Sequence, residues 1–555
     1  MRTKVRGRYR VLRAGCLLCG LVLGGCAAQH AQEPAGGLSC RCGRVVPVTA
    51  GAGNDTEAVW SPDGRHIAFQ TDAAGDLDIA IVELASGKVA TLAGGAGHAC
   101  YPAWTQDGSL IYAFGHHTGT AVQAAAAQAD YGYGLRLWRD GATRVLTQGY
   151  WRDYTPSVTP DNGAVLYAST RGEGMGSKGG DGLSGGASLW RVALAPGAAA
   201  ELLLHPLSET GGMVQPSLSP DGTLLLLAQL DFYRHNWRLY VARTTNLAES
   251  ACLTPRAMGA YAPRWSPDGR LVAFTGFREG DPGWGVYLLE PRSGALSRLD
   301  TGAGQSRSPA WSPDGRELVF ENNRTGAYKL YRMRVTCRMP AAPPQQTAAK
   351  AAPRVVRTEA RLERSGSATE LVAADGKRLA GTAAQGLEAV TFERPPGLDF
   401  GAGDFFVRMT LTLDGPIEGV QIAALGSYTE KAQGWRLFFK PGQHMHIWFA
   451  VCNPQGEFIG VMSDAPLVPG RPVNVLGIRE EADGGVRLYV DGKLQRSSAH
   501  GAAMAYGPAL SLSLGQQPGG GARLNGRVVS FECGRGYPRG VPRRMTRERF
   551  FGEVE

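Results

Sequence analysis

One short turn recurs along this chain and constrains its fold more than any other feature. The turn is of the type Ser-Pro-Asp-Gly, and its six aspartates stand at positions 63, 107, 161, 221, 268 and 314, at intervals of 44 to 60 residues. Proline presets φ for a tight turn, and glycine accepts the positive φ that such a turn needs. A period just above 40 residues with four strands per unit is typical of a β-propeller. The repeat therefore predicts six blades.

Each repeat contains the same order of strands. A short strand ends at the turn, as in "EAVW" and "APRW", and a more apolar strand, a third strand and a short fourth strand follow. The sixth unit lacks a fourth strand, because the chain becomes rich in proline after Cys337. Residues 44–50, "RVVPVTA", have the form of the missing strand and are expected to close the ring, which removes free sheet edges. The propeller is thus expected over residues 44–337.

The same closure makes a prediction about cysteines. It places Cys337, at the end of a third strand, beside Cys40 or Cys42, and predicts a disulfide bond to one of the two. Free buried thiols are the alternative. Seven cysteines follow Cys26, so at least one is free or paired between chains.

The six "WSPDGR"-like turns resemble the TolB-type propeller repeat, also called PD40, over residues 44–337. The resemblance implies the propeller fold, but propellers host unrelated activities. Unlike TolB, the chain is expected to have no N-terminal α/β domain and to carry a lipid anchor and a C-terminal domain instead.

The N-terminus reads as a targeting segment. Residues 1–25 contain six basic residues and no acid, followed by a short apolar run. The tetrad that ends in Cys26 resembles the lipobox of bacterial lipoproteins, which implies diacylation of Cys26, a tether over residues 26–43 and attachment to a membrane. An ordinary signal peptide with a chance cysteine is the alternative. Cleavage would lower the net charge from +9 to +3, so no nucleic-acid partner is predicted. The expected location is the cell envelope, as an outer-membrane lipoprotein that faces the periplasm or the surface.

A second domain is expected after an Ala/Pro-rich linker at residues 338–354. Strand patterns separated by Gly/Asp turns predict a β-sandwich over residues 355–535, and a basic tail at 536–555 follows. The segment Leu488–Lys493, "LYVDGK", resembles the hairpin of laminin-G-like, concanavalin A-like jelly rolls. Some members bind glycans or calcium, so calcium remains open for the sandwich and no other cofactor is predicted. Cys452 and Cys533 are the only cysteines in this domain and could pair.

The complete fold prediction is therefore all-β, a six-bladed β-propeller followed by a β-sandwich of the jelly-roll type. No catalytic residue and no metal ligand is predicted. The G-x-S-x-G string at residues 182–186 lies in a Gly-rich insertion, not between the strand and helix that a nucleophile elbow needs. The six aspartates are expected to cap their own turns.

The face opposite the repeated turns is the expected ligand face. The insertions at residues 116–134 and 170–187 both lie between second and third strands and therefore on that face. Nearby loops supply aromatic and basic residues suited to protein or sugar contact: Tyr101, His116, His117, Trp151, Arg152, Tyr154, Arg234, His235, Tyr261 and Arg307. Alternatively, these side chains only plug the central funnel.

The sequence predicts a lipid-anchored binding protein of the cell envelope that engages a protein partner or a glycan without catalysis. One alternative is a polysaccharide-active lyase or glycosidase with the sandwich as a targeting module. Another is a Tol-like envelope-assembly factor. An acid pair or histidine cluster on the insertion-bearing face would favour the enzyme, and the sequence alone assembles neither.

Overall fold

The structure, a computed structural model, describes most of the propeller region and part of the C-terminal region. The described residues are 37–94, 97–115, 132–149, 151–171, 187–204, 213–231, 236–255, 257–339, 357–365, 368–373, 377–380, 382–383, 390–392, 404–415, 421–426, 434–439, 445–452, 458–463, 466–480, 485–498, 512–514, 524–536, 538, 543–545 and 547–552. Within these ranges, no helix combines the length and the apolar character needed to cross a membrane.

The described strands form eight sheets, and six of these are the predicted blades. The first described strands are β1 (Ser39–Cys42) and β2 (Val46–Pro47), and both belong to blade 6. Blade 1 contains β3 (Asp55–Trp60), β4 (His66–Thr71), β5 (Asp78–Glu83) and β6 (Val89–Ala93). Blade 2 contains β7 (His98–Trp104), β8 (Leu110–Gly115), β9 (Tyr133–Arg139) and β10 (Ala142–Val145). Blade 3 contains β11 (Asp153–Val158), β12 (Ala164–Ser169), β13 (Ser188–Ala193) and β14 (Ala200–Leu204).

The other three blades repeat this antiparallel order. Blade 4 contains β15 (Met213–Leu218), β16 (Leu224–Asp231), β17 (Asn236–Arg243) and β18 (Asn246–Cys252). Blade 5 contains β19 (Met258–Trp265), β20 (Val272–Arg278), β21 (Gly285–Leu289) and β22 (Leu296–Arg298). Blade 6 contains β23 (Ser306–Trp311), β24 (Glu317–Thr325) and β25 (Ala327–Arg338), and it is completed by β1 and β2. Most of the two insertions, at 116–131 and 172–186, lies outside the described residues.

The repeated turns are built as the sequence predicts. In blade 1, the Ser61 hydroxyl donates to the Asp63 carboxylate (2.5 Å), which also accepts the Arg65 amide N–H (3.0 Å). The same hydroxyl–carboxylate bond forms in the other five turns. Gly64 has a φ of 68°, whereas in blade 3 Asn162 takes the left-handed position with a φ of 58°. The capping role predicted for the aspartates is confirmed.

These caps predict acid sensitivity. Hydrogen bonds from Ser312 and the Arg316 amide hold the pKa of Asp314 below its ordinary value, and analogous bonds do the same at Asp63, Asp107 and Asp221. A carboxylate with a lowered folded-state pKa stabilises the fold above its unfolded pKa and loses that contribution as pH falls through the folded value. We therefore expect the urea concentration at the midpoint of unfolding to decrease once the pH drops below about 4. Asp314→Asn should lose less stability than the wild type between pH 5 and pH 3, and an equal loss would contradict this account.

Blade 6 closes the ring, but it begins earlier than expected. β1 pairs antiparallel with β25 and places Cys40 opposite Cys337, and β2 pairs further along the same strand. Because β25 extends to Arg338, residues 39–43, assigned to the tether from sequence, lie against it and belong to the propeller. The disulfide bond joins Cys40 to Cys337. Cys42 was the other candidate, but it lies opposite Val335 and remains a thiol.

Polar contacts reinforce this closure. The Lys329 ammonium group donates to the Asp55 carboxylate (2.9 Å) and to the Ala52 carbonyl (3.0 Å), and this ion pair is almost fully buried. The Tyr328 amide donates to the Asn54 side chain (3.0 Å). Buried charges persist in a fold when they are paired and hydrogen-bonded in this way. The disulfide bond thus fixes β1 within blade 6, and the ion pair and hydrogen bonds join blade 6 to blade 1.

The C-terminal domain is the expected two-sheet sandwich. One sheet contains β26 (Arg357–Ser365), β27 (Ala368–Ala373), β28 (Arg378–Ala380), β31 (Phe405–Leu413), β36 (Val473–Arg479), β37 (Val486–Val490), β38 (Lys493–Ser498) and β40 (Gly526–Arg535). The other contains β29 (Thr382–Ala383), β30 (Val390–Phe392), β32 (Gln421–Gly426), β33 (Gly434–Phe439), β34 (Ile447–Cys452), β35 (Phe458–Met462) and β39 (Leu512–Leu514). Aromatic side chains such as Phe405, Trp435 and Phe449 fill the core between the sheets.

The hairpin that carried the jelly-roll resemblance is present. Strands β37 and β38 are joined through Asp491 and Gly492, which have φ values of 50° and 78°. Positive φ at both central residues is the geometry that Asp-Gly hairpins favour. Cys533 is buried, but the side chain of Cys452 lies outside the described residues, so their pairing stays a prediction. Most of the linker also lies outside them.

The C-terminal segment differs from a simple basic tail. Strand β41 (Arg543–Met545) pairs in parallel with β18 and adds a fifth strand to blade 4. Helix α1 (Arg547–Gly552) follows, and its Phe550 is fully buried in the propeller core. The Arg243 guanidinium donates to the Phe550 carbonyl (2.7 Å) and lies 4.5 Å from its ring centroid. The adjacent Phe550 and Phe551 side chains therefore anchor the C-terminal segment on the propeller. The basic composition of this segment alone would place it in solvent.

Candidate functional site

A ring of strained residues lines the inner strands of the propeller. One residue per blade has a φ between 48° and 55°: Glu57, Tyr101, Thr155, Gln215, Ala262 and Ser308. Each lies within a break in the register between the first and second strands. Such bulges re-aim side chains, and left-handed non-glycine residues persist only where surrounding contacts hold them. The inner wall is therefore a repeated and fixed scaffold.

Side chains from neighbouring blades hold these bulges. The Tyr101 amide donates to Gln70, the Ala262 amide donates to Gln215, and the Ser308 amide donates to Thr275. At the closure of the ring, the acceptor for the Glu57 amide is the Glu321 carboxylate (2.8 Å). An ionisable acid thus stands where other blades use a neutral amide or hydroxyl.

Glu321 belongs to a group of charged side chains that we call the closure cluster. We define it as Glu57, Arg264, Arg307 and Glu321. The second carboxylate oxygen of Glu321 accepts a hydrogen bond from Nε of Arg307, so both of its oxygens have partners. The Ser308 hydroxyl donates to Glu57 (3.3 Å). Glu57 and Arg307 lie near the starts of their strands, away from the repeated turns. Glu57 and Arg307 therefore lie towards the insertion-bearing end of the channel, whereas Arg264, the penultimate residue of β19, lies next to a repeated turn.

Burial sets the electrostatics of the cluster. The Glu321 side chain is only 1% exposed, and burial together with the nearby charge of Glu57 raises its pKa to about 7, against the opposing charge of Arg307. Burial also lowers the pKa of Arg264, and the Glu57 carboxylate opposes that shift. The pKa of Arg307 is raised, because its interaction with Glu321 outweighs the effect of burial. Burial and the charge of Glu57 thus oppose ionisation of Glu321, whereas the two hydrogen bonds that its oxygens accept favour the ionised form.

Arg307 is held in place, and among the described residues its terminal N–H groups have no acceptor. Its guanidinium lies 3.8 Å from the Tyr328 ring centroid, and its Nε is bound by Glu321. The side chain is 35% exposed, and neither of its Nη groups has a hydrogen-bond partner in the described part of the chain. A stacked arginine with free terminal donors is organised to bind an incoming acceptor.

An aromatic platform, defined as Tyr261, Phe277 and Trp284, lies beside the cluster. The Tyr261 ring is 5.1 Å from that of Trp284, and Trp284 is 5.7 Å from Phe277. Phe277 is 37% exposed, so this edge of the platform is accessible from solvent. The Ser308 amide N–H, next to Arg307, donates to Thr275, which is the strand partner of Tyr261, so the platform and the cluster are neighbours.

The loop that carries Trp284 is fixed. The Asp281 carboxylate accepts the Arg278 amide (2.7 Å) and the Tyr287 hydroxyl (2.6 Å). Arg298 donates to the Gly283 carbonyl (3.2 Å). The platform is therefore presented by a rigid loop, as binding residues on propellers commonly are.

The expected ligand face is only partly brought together. Tyr261 and Arg307 lie on adjacent inner strands at the site, and Tyr101 belongs to the ring of bulges. Tyr154 was expected to be exposed but is buried in the core between blades, where its ring lies 6.1 Å from that of Tyr101. Trp151 packs against the Arg171 guanidinium (4.4 Å), and the Arg152 amide donates to Thr170, so both have local structural contacts. His116, His117, Arg234 and His235 lie outside the described residues.

Sequence reasoning missed Glu57, Arg264, Glu321, Phe277 and Trp284. A signal existed for Glu321, because it is a charge near the end of the apolar segment "ELVFEN" in a central strand. Glu57 and Glu321 are 264 residues apart, and only ring closure brings them together. No group of three or more His, Cys, Asp or Glu residues in the described ranges could hold a metal ion.

Two domain profiles match the sequence. The TolB β-propeller domain (PD40) matches residues 202–358, and the concanavalin A-like lectin/glucanase superfamily (laminin G type) matches residues 415–532. This chain joins a TolB-type β-propeller to a concanavalin A-like domain. The first match covers most of blades 4 to 6 of the TolB-type propeller, and blades 1 to 3 repeat the same sheet and turn. No curated protein matched the sequence.

Several solved structures resemble the propeller. TolB from Acinetobacter baumannii is 18% identical with a TM-score of 0.37, and the match covers 48% of this chain and 59% of that protein. An oligogalacturonate lyase from Vibrio parahaemolyticus is 13% identical (TM-score 0.38; 54% and 97% covered). A gluconolactonase from Xanthomonas campestris is 14% identical (TM-score 0.38; 55% and 98% covered). These similarities are too low to bear on activity.

Proposed function

We propose that this protein is a lipid-anchored binding protein of the bacterial cell envelope that holds a glycan at the channel mouth, without catalysis. The observation that carries the proposal is the aromatic platform beside Arg307 and Glu57. The apolar face of a sugar ring packs on aromatic side chains, while its hydroxyl groups bind fixed donors and acceptors. The concanavalin A-like domain and the expected anchor at Cys26, which lies outside the described residues, support a role at the envelope.

The acid pair supplies the observation that favours the enzyme alternative. Glu57 and Glu321 are the kind of paired carboxyl groups that glycosidases use, and the raised pKa of Glu321 would suit a general acid. However, Glu321 is buried, and both of its oxygens bind protein groups. A general acid must come within hydrogen-bond reach of its substrate. This geometry supports a positioning role for Glu321 on Arg307 and the Glu57 bulge.

A glycan array tests the proposal directly. We expect the soluble protein that lacks residues 1–25 and carries Cys26→Ser to bind a defined set of glycans. Trp284→Ala should weaken binding at least about tenfold, because a central aromatic contact is lost. Arg316→Gln is the control, since Arg316 is exposed in the blade 6 turn at the other end of the channel.

Three outcomes would contradict this function. Unchanged glycan binding by a folded Trp284→Ala variant would move the site elsewhere. Release of new reducing ends from the bound glycan, abolished by Glu57→Gln, would establish the enzyme alternative. Capture of an envelope protein from intact cells with no glycan bound would favour a Tol-like assembly role.

A further inference from the structure

The contacts that hold Arg307 in place involve the flat face of its guanidinium and its Nε atom, and not its two Nη groups. Tyr328 supports the flat face of the guanidinium, and Glu321 binds only Nε. Glu321 is itself held by the Glu57 amide N–H of the next blade (2.8 Å). The two Nη groups of Arg307 remain as a planar fork with no partner in the described chain. Such a fork matches the two oxygens of a carboxylate.

The charges around Arg307 leave room for an anion. Arg307 pairs with Glu321, and Arg264 and Glu57 attract each other through their opposite charges. Two basic side chains thus face two acidic ones, and burial disfavours the ionised form of Glu321 by raising its pKa. The cluster therefore presents no excess of negative charge that would repel an anion. Arg307 is the more accessible partner of its ion pair.

The surroundings of Arg307 indicate which kind of molecule carries the anionic group. Ser308, the residue after Arg307, donates its amide N–H to Thr275 (2.8 Å), which is the strand partner of Tyr261. The Tyr261 ring contacts Trp284, so Arg307 lies on the strand beside a surface suited to a sugar ring. Phe277 extends this surface towards the rim. A ligand that uses both features presents an apolar ring face and, close to that ring, a carboxylate. A uronic acid residue has this chemistry.

We propose that Arg307 is a specificity-determining residue for a carboxylate, and that the glycan bound at the channel mouth is acidic, built from uronic acid residues. This inference rests on the proposed glycan-binding function. It adds that the neutral form of the same glycan binds more weakly, and that Arg307 is responsible for the difference. An acidic peptide could also present carboxylates, but the aromatic platform favours the sugar.

Matched oligosaccharides test this inference. Isothermal titration calorimetry on the soluble full chain would compare hexamers of β-1,4-glucuronic acid and α-1,4-galacturonic acid with the same hexamers after reduction of their carboxyl groups. We expect at least one uronate to bind about tenfold or more tightly than its reduced counterpart, as a charge-assisted bidentate pair requires. Arg307→Gln should abolish the difference, Arg307→Lys should retain part of it, and Arg316→Gln should leave it unchanged. Thermal unfolding of each variant verifies the fold, and Arg307→Lys keeps the test valid if Arg307→Gln does not fold.

The outcomes separate this inference from the proposed function. Equal binding of the charged and reduced hexamers, or a preference that survives Arg307→Gln, would overturn the carboxylate assignment and leave glycan binding intact. If the glycan array finds only neutral ligands, the inference fails alone. If array and titrations find no glycan ligand, both fail. Binding of hexaglutamate that depends on Arg307, without binding of either uronate, would overturn the acidic glycan in favour of a protein ligand.

Discussion

Replacing Cys40 and Cys337 together with serine is expected to lower the free energy of unfolding of the propeller by roughly 5 kcal/mol. The disulfide bond joins residues that are 297 positions apart and fixes β1 to the outer side of blade 6. A cross-link over so long a segment strongly restricts the unfolded chain, and in the folded chain it holds the strand that closes the ring. Urea unfolding followed by tryptophan fluorescence measures the change.

The matched control for this experiment is Cys252→Ser. Cys252 is a thiol at the end of β18 and lies outside the closure. We expect this variant to unfold at nearly the wild-type urea concentration, whereas the double variant unfolds much earlier. Reduction of the wild type should reproduce the double variant. If the double variant is as stable as the wild type, the ionic and hydrogen-bonded contacts of blades 1 and 6 suffice for closure.

Phe550→Ala is expected to lower the free energy of unfolding by about 3 to 5 kcal/mol. Phe550 has no exposed surface and packs in the core cluster that contains strands of blades 4 and 5. Its removal leaves a cavity and also loosens α1, whose backbone carbonyl is bound by Arg243. Chemical unfolding gives the energy, and hydrogen exchange of β18 reports whether β41 detaches.

Val145→Ala is the control for Phe550→Ala. Val145 is a half-exposed apolar residue on the outer strand of blade 2, and its truncation should change stability by less than about 0.5 kcal/mol. An equally small effect of Phe550→Ala would mean that the C-terminal segment is not anchored on blade 4. Deleting residues 541–555 should reproduce the loss caused by Phe550→Ala, because β41 depends on the same anchor.

Local repetition made the fold predictable. The repeated turns share one hydroxyl–carboxylate hydrogen bond in every blade, so their spacing predicted both the blade number and the strand order. The closure could also be inferred, because a missing strand at one end was matched by a spare strand at the other. The choice between Cys40 and Cys42 depended on the register of β1 against β25, which composition does not encode.

The site was harder to predict because it is built by distant pairs. Tyr154 fits a pattern of polar aromatic loop residues, but its strand directs it into the core between blades. Glu57 belongs to a strand that otherwise resembles its five equivalents, and its partner Glu321 comes from the last blade. Arg307 was singled out from sequence, but the arrangement that leaves its Nη groups unpaired within the described residues depends on Tyr328 and Glu321. Tertiary closure, not local pattern, assembles these side chains.

A crystal structure of the soluble full chain with a bound oligosaccharide, chosen from the glycan array, is the most direct test of the central claim. The account predicts a sugar ring packed on Trp284 at the channel mouth, with a carboxylate within hydrogen-bond distance of Nη1 and Nη2 of Arg307. The repeated turns at the other end of the channel should be free of ligand. A saccharide bound only to the concanavalin A-like domain, with Arg307 and Trp284 uncontacted, would contradict the account.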